Sequence, residues 1–454
     1  MDAEKLMKID RDHIWHPFTQ MADWVREEQI IIERAEGNYL IDVQGRRFFD
    51  GVSSLWVNLF GHRRREIDEK IREQLSRVAH STFLGLTHVP AIELTEKLMG
   101  FLPQGLSRVF YSDNGSTAME IALKMAFQYW KQKGNGGEEK TTFLTLTGAY
   151  HGDTIGSVSA GGIDLFHSIF RPLLFETVKV PGPYCFRCPY DLTLDKCGLH
   201  CAEVLREKLM EEKERVAAVV VEPLVQGAAG MIVHPEGFLR RVREAADEAG
   251  VLLIVDEVAT GFGRTGRMFA VEHEGVVPDI MALAKGITGG YLPLAATVTT
   301  EEVYSAFLGR YEEFKTFFHG HSYTANPLGC AAAIATLEIF EREDVLGHVQ
   351  EVSSRLSERL QEVKDHPNVG DVRQKGLMVG IEIVRDRETK EPFPPELKVG
   401  QRVIRKTRER GLIIRPLGDV IVLMPPLSTT LEEVDTLCDV TFWAMEEVLR
   451  ETVR

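Results

Sequence analysis

Val251-Leu-Leu-Ile-Val-Asp256-Glu257 and Leu283-Ala-Lys285-Gly-Ile-Thr-Gly-Gly290 decide how the chain reads. A short apolar run ending in an acid is a buried strand that sets a carboxylate at the carboxyl edge of a parallel sheet, where α/β proteins hold ligands. A carboxylate buried there needs a cationic partner. Lys285 sits in a second apolar run before a glycine-rich turn, and desolvation in such a place lowers the pKa of an amine and makes it a nucleophile. A structural ion pair between Asp256 and Lys285 would account for the same residues. Acid and lysine on neighbouring strand ends also suit pyridoxal 5′-phosphate, which takes a Schiff-base lysine and an acid against its pyridinium nitrogen.

Around this pair, β-branched runs at Thr142–Leu146, Val216–Val221 and Ala295–Thr299 alternate with helical stretches such as Pro235–Ala249. That alternation predicts βαβ units and a mostly parallel sheet covered by helices on both faces. Upstream, Ile67, Ile71, Leu75 and Val78 recur at helical spacing, a second amphipathic run covers Ala91–Leu102, and Arg108–Ser112 reads as a strand. The runs Gln29–Glu33, Tyr39–Val43 and Arg47–Asp50 predict a small antiparallel sheet. From Asn326 an Ala-rich helix opens an α+β unit with strands near Val379–Val384, Leu412–Arg415 and Val420–Leu423. The expected division is residues 1–65 as an N-terminal segment joining a small domain, 66–325 as the large domain and 326–454 as the C-terminal small domain. No Pro/Ser-rich linker separates them, so they should pack firmly.

Two further segments bear on chemistry. Ser112-Asp-Asn-Gly115-Ser116-Thr117 follows a strand and opens a helix, where free N–H groups form a phosphate cradle; a plain cap by Ser116 or Asp113 would use the same residues. Gly148-Ala-Tyr150-His151-Gly152-Asp153 offers an aromatic ring at a strand end, on which a flat cofactor can stack.

Composition excludes other classes. The 454 residues carry 53 Lys+Arg against 68 Asp+Glu, a formal charge of -15, with no long basic stripe to neutralise a phosphate backbone, so nucleic acid is not an expected partner. Hydrophobic residues at 44% and charged residues at 27% are ordinary globular values. No segment approaches the length of a membrane span and the charged N-terminus has no apolar leader, so the expected compartment is the cytoplasm. Cys185, Cys188, Cys197 and Cys201 have C-x2-C and C-x3-C spacing that could meet a tetrahedral metal, or form a bare loop of reduced thiols. No catalytic metal is expected.

Asp256-Glu257-Val-Ala-Thr-Gly-Phe-Gly-Arg264-Thr-Gly, the Lys285 segment and Tyr150-His-Gly-Asp together resemble the class III aminotransferases of PLP fold type I, over nearly the whole chain. Within that class, Ile14-Trp-His-Pro-Phe18-Thr-Gln-Met21, Ser53-Ser-Leu-Trp56, His80-Ser-Thr, His319-Gly320-His321-Ser322-Tyr323 and Arg415-Pro-Leu-Gly-Asp resemble the branch that aminates 8-amino-7-oxononanoate in biotin synthesis. The resemblance implies an α/β fold with a large, mostly parallel sheet and a smaller α+β domain. It also implies pyridoxal 5′-phosphate held by Lys285, with Asp256 on the pyridinium nitrogen, Gly115 and Ser116 on the phosphate and Tyr150 over the ring. Gly320, His321 and Ser322 would reach the neighbouring subunit's phosphate, making a homodimer with shared active sites. Phe18, Trp56 and Arg415 would line the substrate site, Arg415 receiving the carboxylate, with Glu222 the acid that the class keeps near that arginine. The nominal amino donor is S-adenosylmethionine. Lysine is the alternative, because some members carry two adjacent tryptophans and a tyrosine where this chain has Leu55-Trp56 and Phe18. Another ω-amino acid or diamine aminotransferase is the second reading, a PLP-fold protein without catalysis a third.

Overall fold

Val216–Val221 and Leu252–Asp256 are apolar along nearly their whole length and buried at every position, a pattern that persists only where helices cover both faces of a sheet. They sit at the centre of seven strands in the order Leu106–Ser112, Ala295–Thr300, Ile280–Leu283, Leu252–Asp256, Val216–Val221, Thr142–Leu146 and Val178–Val180. Neighbours are parallel except at Ala295–Thr300, which runs antiparallel to both of its partners. The computed structural model describes residues 2–134 and 137–453. Met1 and Arg454, the outer bounds of the segments read from the sequence, lie outside the described residues.

Side chains alternate across the sheet, as the two-residue strand period requires. Val219, Val221, Leu253, Val255, Met281 and Leu283 pack with Phe238, Leu239 and Val242 of the helix Phe238–Ala249 in one core. Val220, Leu252, Ile254, Ile280 and Ala282 pack with Ala118, Ile121, Ala122 and Met125 of the helix Gly115–Lys133 in the other. The parallel pairing sets Asp256 opposite Ala282, so Asp256 and Lys285 leave the sheet at the same edge. Val178–Val180 is a strand that the sequence reading did not pick out, and Ile280–Leu283 is the neighbouring strand whose end it gave to Lys285.

A two-stranded pair, Val225–Gln226 with Ile232–Val233, and two four-stranded sheets accompany the large one. Ile32–Glu36, Tyr39–Asp42, Arg47–Asp50 and Leu412–Ile413 form one; Val369–Lys375, Met378–Ile383, Val420–Leu423 and Arg415–Leu417 form the other. The first strand lies three residues later than the run Gln29–Glu33 suggested. The turn at Gly37-Asn38 fixes Glu36 opposite Tyr39, and a bulge between Ile32 and Arg34 absorbs the offset. Leu412–Arg415, expected as one strand, is divided: Leu412–Ile413 runs parallel to Phe49–Asp50, and Arg415–Leu417 pairs antiparallel with Val420–Val422. Ile414, buried between them, is the joint.

The stripe that begins at Ile67 is only partly core. Ile67 is fully buried, but the helix Arg65–Leu75 ends at Leu75, which is 58% exposed, and Val78 follows it at the surface. Among the described residues, no helix is long and apolar enough to cross a membrane.

Ile254→Ala, in the central strand, should lower the free energy of unfolding by about 2–5 kcal/mol. Val277→Ala, at a 40% exposed position, should change it little. Urea unfolding midpoints of the two variants check this.

Candidate active site

At the carboxyl edge of the large sheet lies a cavity of about 650 Å³ whose wall includes Trp56, Gly115, Ser116, Tyr150, Glu222, Asp256 and Lys285. Lys285 follows the strand Ile280–Leu283 and holds a left-handed backbone at φ 47°, a conformation that costs energy in a non-glycine residue. Desolvation brings its ammonium from the ordinary 10.5 down to about 8, against the opposing pull of Asp256 and Glu222. Its Nζ stands 4.8 Å from the centre of the Trp56 ring and makes no ion pair among the described residues.

Asp256 does not use Lys285 as its partner. Asp256 Oδ2 lies 2.8 Å from Nδ1 of His151, and Oδ1 accepts the Val258 N–H at 3.0 Å. Both side chains are buried, and Nε2 of His151 has no hydrogen-bond partner among the described residues. The pair is therefore an acid with a histidine behind it, and the amine is left free. His151 is the functional residue that the sequence reading passed over. It ends the turn after Thr142–Leu146 as Asp256 ends the strand Leu252–Asp256, and that matched position was the available signal.

Asn114, rather than Ser116 or Asp113, caps the helix Gly115–Lys133: its side chain accepts from Thr117 N–H, and the Thr117 hydroxyl answers the Asn114 N–H. The helix thus begins with Gly115 and Ser116 on the cavity wall, where first-turn N–H groups have no intrahelical acceptor. The Tyr150–Thr154 segment is drawn onto this end. Ser116 Oγ accepts the Thr154 N–H at 3.1 Å, and a Cβ on Gly152 would fall 2.2 Å from that oxygen. Tyr150 donates its hydroxyl to Asp153 at 2.8 Å, and burial together with that carboxylate holds the phenol well above its ordinary pKa.

Glu222 is buried and accepts N–H groups of Tyr150 at 3.1 Å and Gly227 at 3.0 Å; burial pushes its carboxyl up to about 7. It makes no ion pair with Arg415 among the described residues. Arg415, whose pKa burial lowers, lies with its guanidinium carbon 5.8 Å from the centre of the Phe18 ring. Neither belongs to the wall of the Lys285 cavity. Phe18 is 58% exposed and lines an adjoining cleft with Asp50 and Ser54. The turn of Gly320 and Ser322 is likewise outside the cavity; within one chain His321 Nδ1 lies 2.8 Å from Asp113 Oδ2, and Ser322 is exposed.

The four clustered cysteines, all free thiols, line a separate small hollow with Tyr190 and His200. Burial raises the thiol pKa of Cys185 and Cys201, the latter to about 11. Among the described residues, no three His, Cys, Asp or Glu side chains are gathered as a metal ion requires.

The cavity fits pyridoxal 5′-phosphate by its chemistry. It offers an unpaired amine of lowered basicity for an aldehyde, a buried carboxylate for a pyridinium, a helix start for a phosphate and an aromatic side chain on the wall.

A family model for class III aminotransferases matches residues 20–444, and the chain belongs to that family. It is a pyridoxal-phosphate-dependent aminotransferase. Among its relatives, a protein of Nitratidesulfovibrio vulgaris is 56% identical over 95% of this chain and 80% of its own length. One of Aquifex aeolicus is 50% identical over 99% of both. Each is named adenosylmethionine-8-amino-7-oxononanoate aminotransferase. The crystal structure of the Methanocaldococcus jannaschii protein of that name superposes with a TM-score of 0.94 at 46% identity, covering 98% of this chain and 99% of that one. An amine transaminase from an uncultivated Pseudomonas species, solved in its PLP-bound form, superposes at 0.91 with 38% identity, over 96% and 99%.

Two outcomes follow from this geometry. Gly152→Ala should weaken cofactor binding by about tenfold or more, because the new methyl displaces Ser116 from a site that tolerates little misplacement, while far-UV circular dichroism is retained. Cofactor-band absorbance across a pyridoxal phosphate titration measures it. The apo-protein should take up pyridoxal phosphate covalently at a rate that rises with pH about a midpoint near 8, since only the neutral Lys285 amine attacks. Borohydride trapping at short times reads that profile, and a midpoint near 10.5 would contradict it.

Proposed function

We propose that the chain aminates 8-amino-7-oxononanoate to 7,8-diaminononanoate, the biotin-pathway reaction, with S-adenosylmethionine as nominal donor. The observation that carries the reading is the free amine of Lys285 facing the His151-backed Asp256 in one cavity, in a chain whose full-length relatives share the name of that enzyme.

Pyridoxal 5′-phosphate, when bound, supplies the electron sink that stabilises the charge left as a Cα proton departs. The residues of the chain do the rest. Lys285 Nζ would hold the cofactor until the donor amine displaces it, and would then take the proton from the donor's Cα and deliver it to the cofactor's C4′, the carbon across the transferred nitrogen. A lowered basicity suits that double duty near neutral pH. Asp256, fixed by His151 and the Val258 N–H, keeps the pyridinium protonated. The first turn at Gly115 and Ser116 receives the phosphate, and Tyr150 covers the ring. Trp56 gives an apolar wall to an aliphatic acceptor. Arg415, with no ion pair among the described residues, receives the acceptor's carboxylate at the Phe18 side. Glu222, near neutral in its burial, can accommodate a neutral or cationic group beside Lys285.

The active unit in this reading is a homodimer. Leu75, Leu84, Leu86, Val89 and Ile92 are each more than half exposed, and so are Phe314, Phe318 and Tyr323. The two groups adjoin, His80 lying 4.8 Å from Tyr323 between ring centres. Exposed apolar side chains on two segments that meet at His80 and Tyr323 are what a second copy covers, and the turn of Gly320, His321 and Ser322 lies on the second of them.

Lys285→Ala should abolish turnover of 8-amino-7-oxononanoate while the fold, read by circular dichroism and thermal unfolding, persists; residual transamination beyond a trace would refute the role of Lys285. For the donor, single-turnover discharge of the cofactor band by S-adenosylmethionine and by lysine at matched concentration is decisive. Discharge by lysine alone would replace the donor and leave the acceptor reading intact.

A further inference from the structure

Trp56 faces Lys285 from a backbone that no ordinary loop would choose. Ser53, Ser54 and Trp56 all have positive φ, at 50°, 61° and 64°, and none is glycine. Such residues persist only where their surroundings over-determine them. Asp50, fully buried, takes the Ser54 N–H on Oδ1 at 2.7 Å and the Ser54 hydroxyl on Oδ2 at 2.8 Å, while His62 Nε2 lies 3.0 Å from the same Oδ2. Ser53 donates its hydroxyl to the Met424 carbonyl at 2.7 Å. Two residues further along the chain, the Asn58 carbonyl accepts at 2.7 Å from the buried guanidinium of Arg264, which also donates to the Pro425 carbonyl at 2.6 Å. Gly290, in the turn after Lys285, is pressed against the same segment: a Cβ there would meet the Val57 carbonyl carbon at 2.7 Å. Ser54 lines the Phe18 cleft and Trp56 the Lys285 cavity, so the run 53–56 is the partition between them.

We infer that Asp50, acting through Ser54, and Arg264, acting through Asn58, are positioning residues that fix the Trp56 ring at the partition and so set the fit of the acceptor's chain. The backbone cost of the run is spent on ring placement. This rests on the substrate reading above and adds to it which residues outside the cavity wall determine specificity.

The test uses the holoenzyme and the apo-protein of Asp50→Asn and Ser54→Gly, with Arg264→Lys as a third variant should either fold poorly. Cofactor content should stay at wild-type level by absorbance. KM for 8-amino-7-oxononanoate should rise about tenfold with kcat within about twofold, the pattern of binding lost equally from the bound substrate and the transition state. Ser54→Gly should keep a cooperative thermal transition, the strain relieved at its φ offsetting part of the hydrogen bond lost to Asp50. In the apo-proteins, acrylamide quenching assigned to Trp56 by difference against Trp56→Phe should increase. An unchanged KM with unchanged quenching overturns the inference, and so does a fall in melting temperature with kcat and KM moving together, which marks a purely structural role. If the wild-type enzyme prefers another acceptor, the substrate reading fails by itself, and the same KM and quenching comparison is made on that acceptor.

Discussion

A desolvated amine with no carboxylate in contact among the described residues is the constraint around which the molecule is arranged. A carboxylate in contact would neutralise its reactivity. The sheet brings Asp256 to the same edge as Lys285, yet the acid is engaged by His151 and a backbone N–H, so Lys285 keeps a basicity near 8 and an unsatisfied appetite for a carbonyl. The neighbouring features are answers to the same need. A helix start stands at the cavity wall for an anion, a raised Glu222 avoids adding a full negative charge, and Trp56 closes the site with a ring rather than with an ion.

What could be read from the sequence was what local pattern encodes. Leu252–Asp256 and Val216–Val221 announce themselves because a strand covered on both faces has no polar alternation to blur it, and an acid at its end is conspicuous. Lys285 stood out for the same reason. The cap on Gly115–Lys133 could not be assigned, since Asp113, Asn114 and Ser116 are all competent and only the path of the chain selects Asn114. His151 was missed because its partner lies 105 residues away, and only its place in the turn after a strand hints at what it will face. Phe18 and Arg415, which the resemblance set in the substrate site, lie against one another beside the Lys285 cavity. Pairing between distant elements, and not composition, decided that.

Backbone strain and charge placement are coupled here through distance. The Ser53–Trp56 run is held by Asp50 just before it and by the Met424 carbonyl, and the Asn58 carbonyl just after it by Arg264, which also donates to Pro425. One neighbouring and two remote stretches of sequence therefore converge on the segment that carries Trp56. Side chains that never touch a substrate are in this way as exposed to functional selection as those that do.

The change of sheet at Ile414 has a consequence for how the molecule comes into being. The sheet begun by Ile32–Glu36 and continued by Tyr39–Asp42 and Arg47–Asp50 acquires its fourth strand from Leu412–Ile413. A ribosome releasing the chain from its amino end delivers the first three strands early and the last only after most of the polypeptide has emerged. Until then Asp50 lies at an open edge, and the turn that seats Trp56 lacks the carbonyl of Met424. Completion of the N-terminal sheet is thus a late, long-range closure that pays loop entropy over most of the chain, and the partition of the active site is among the last parts of the molecule to set.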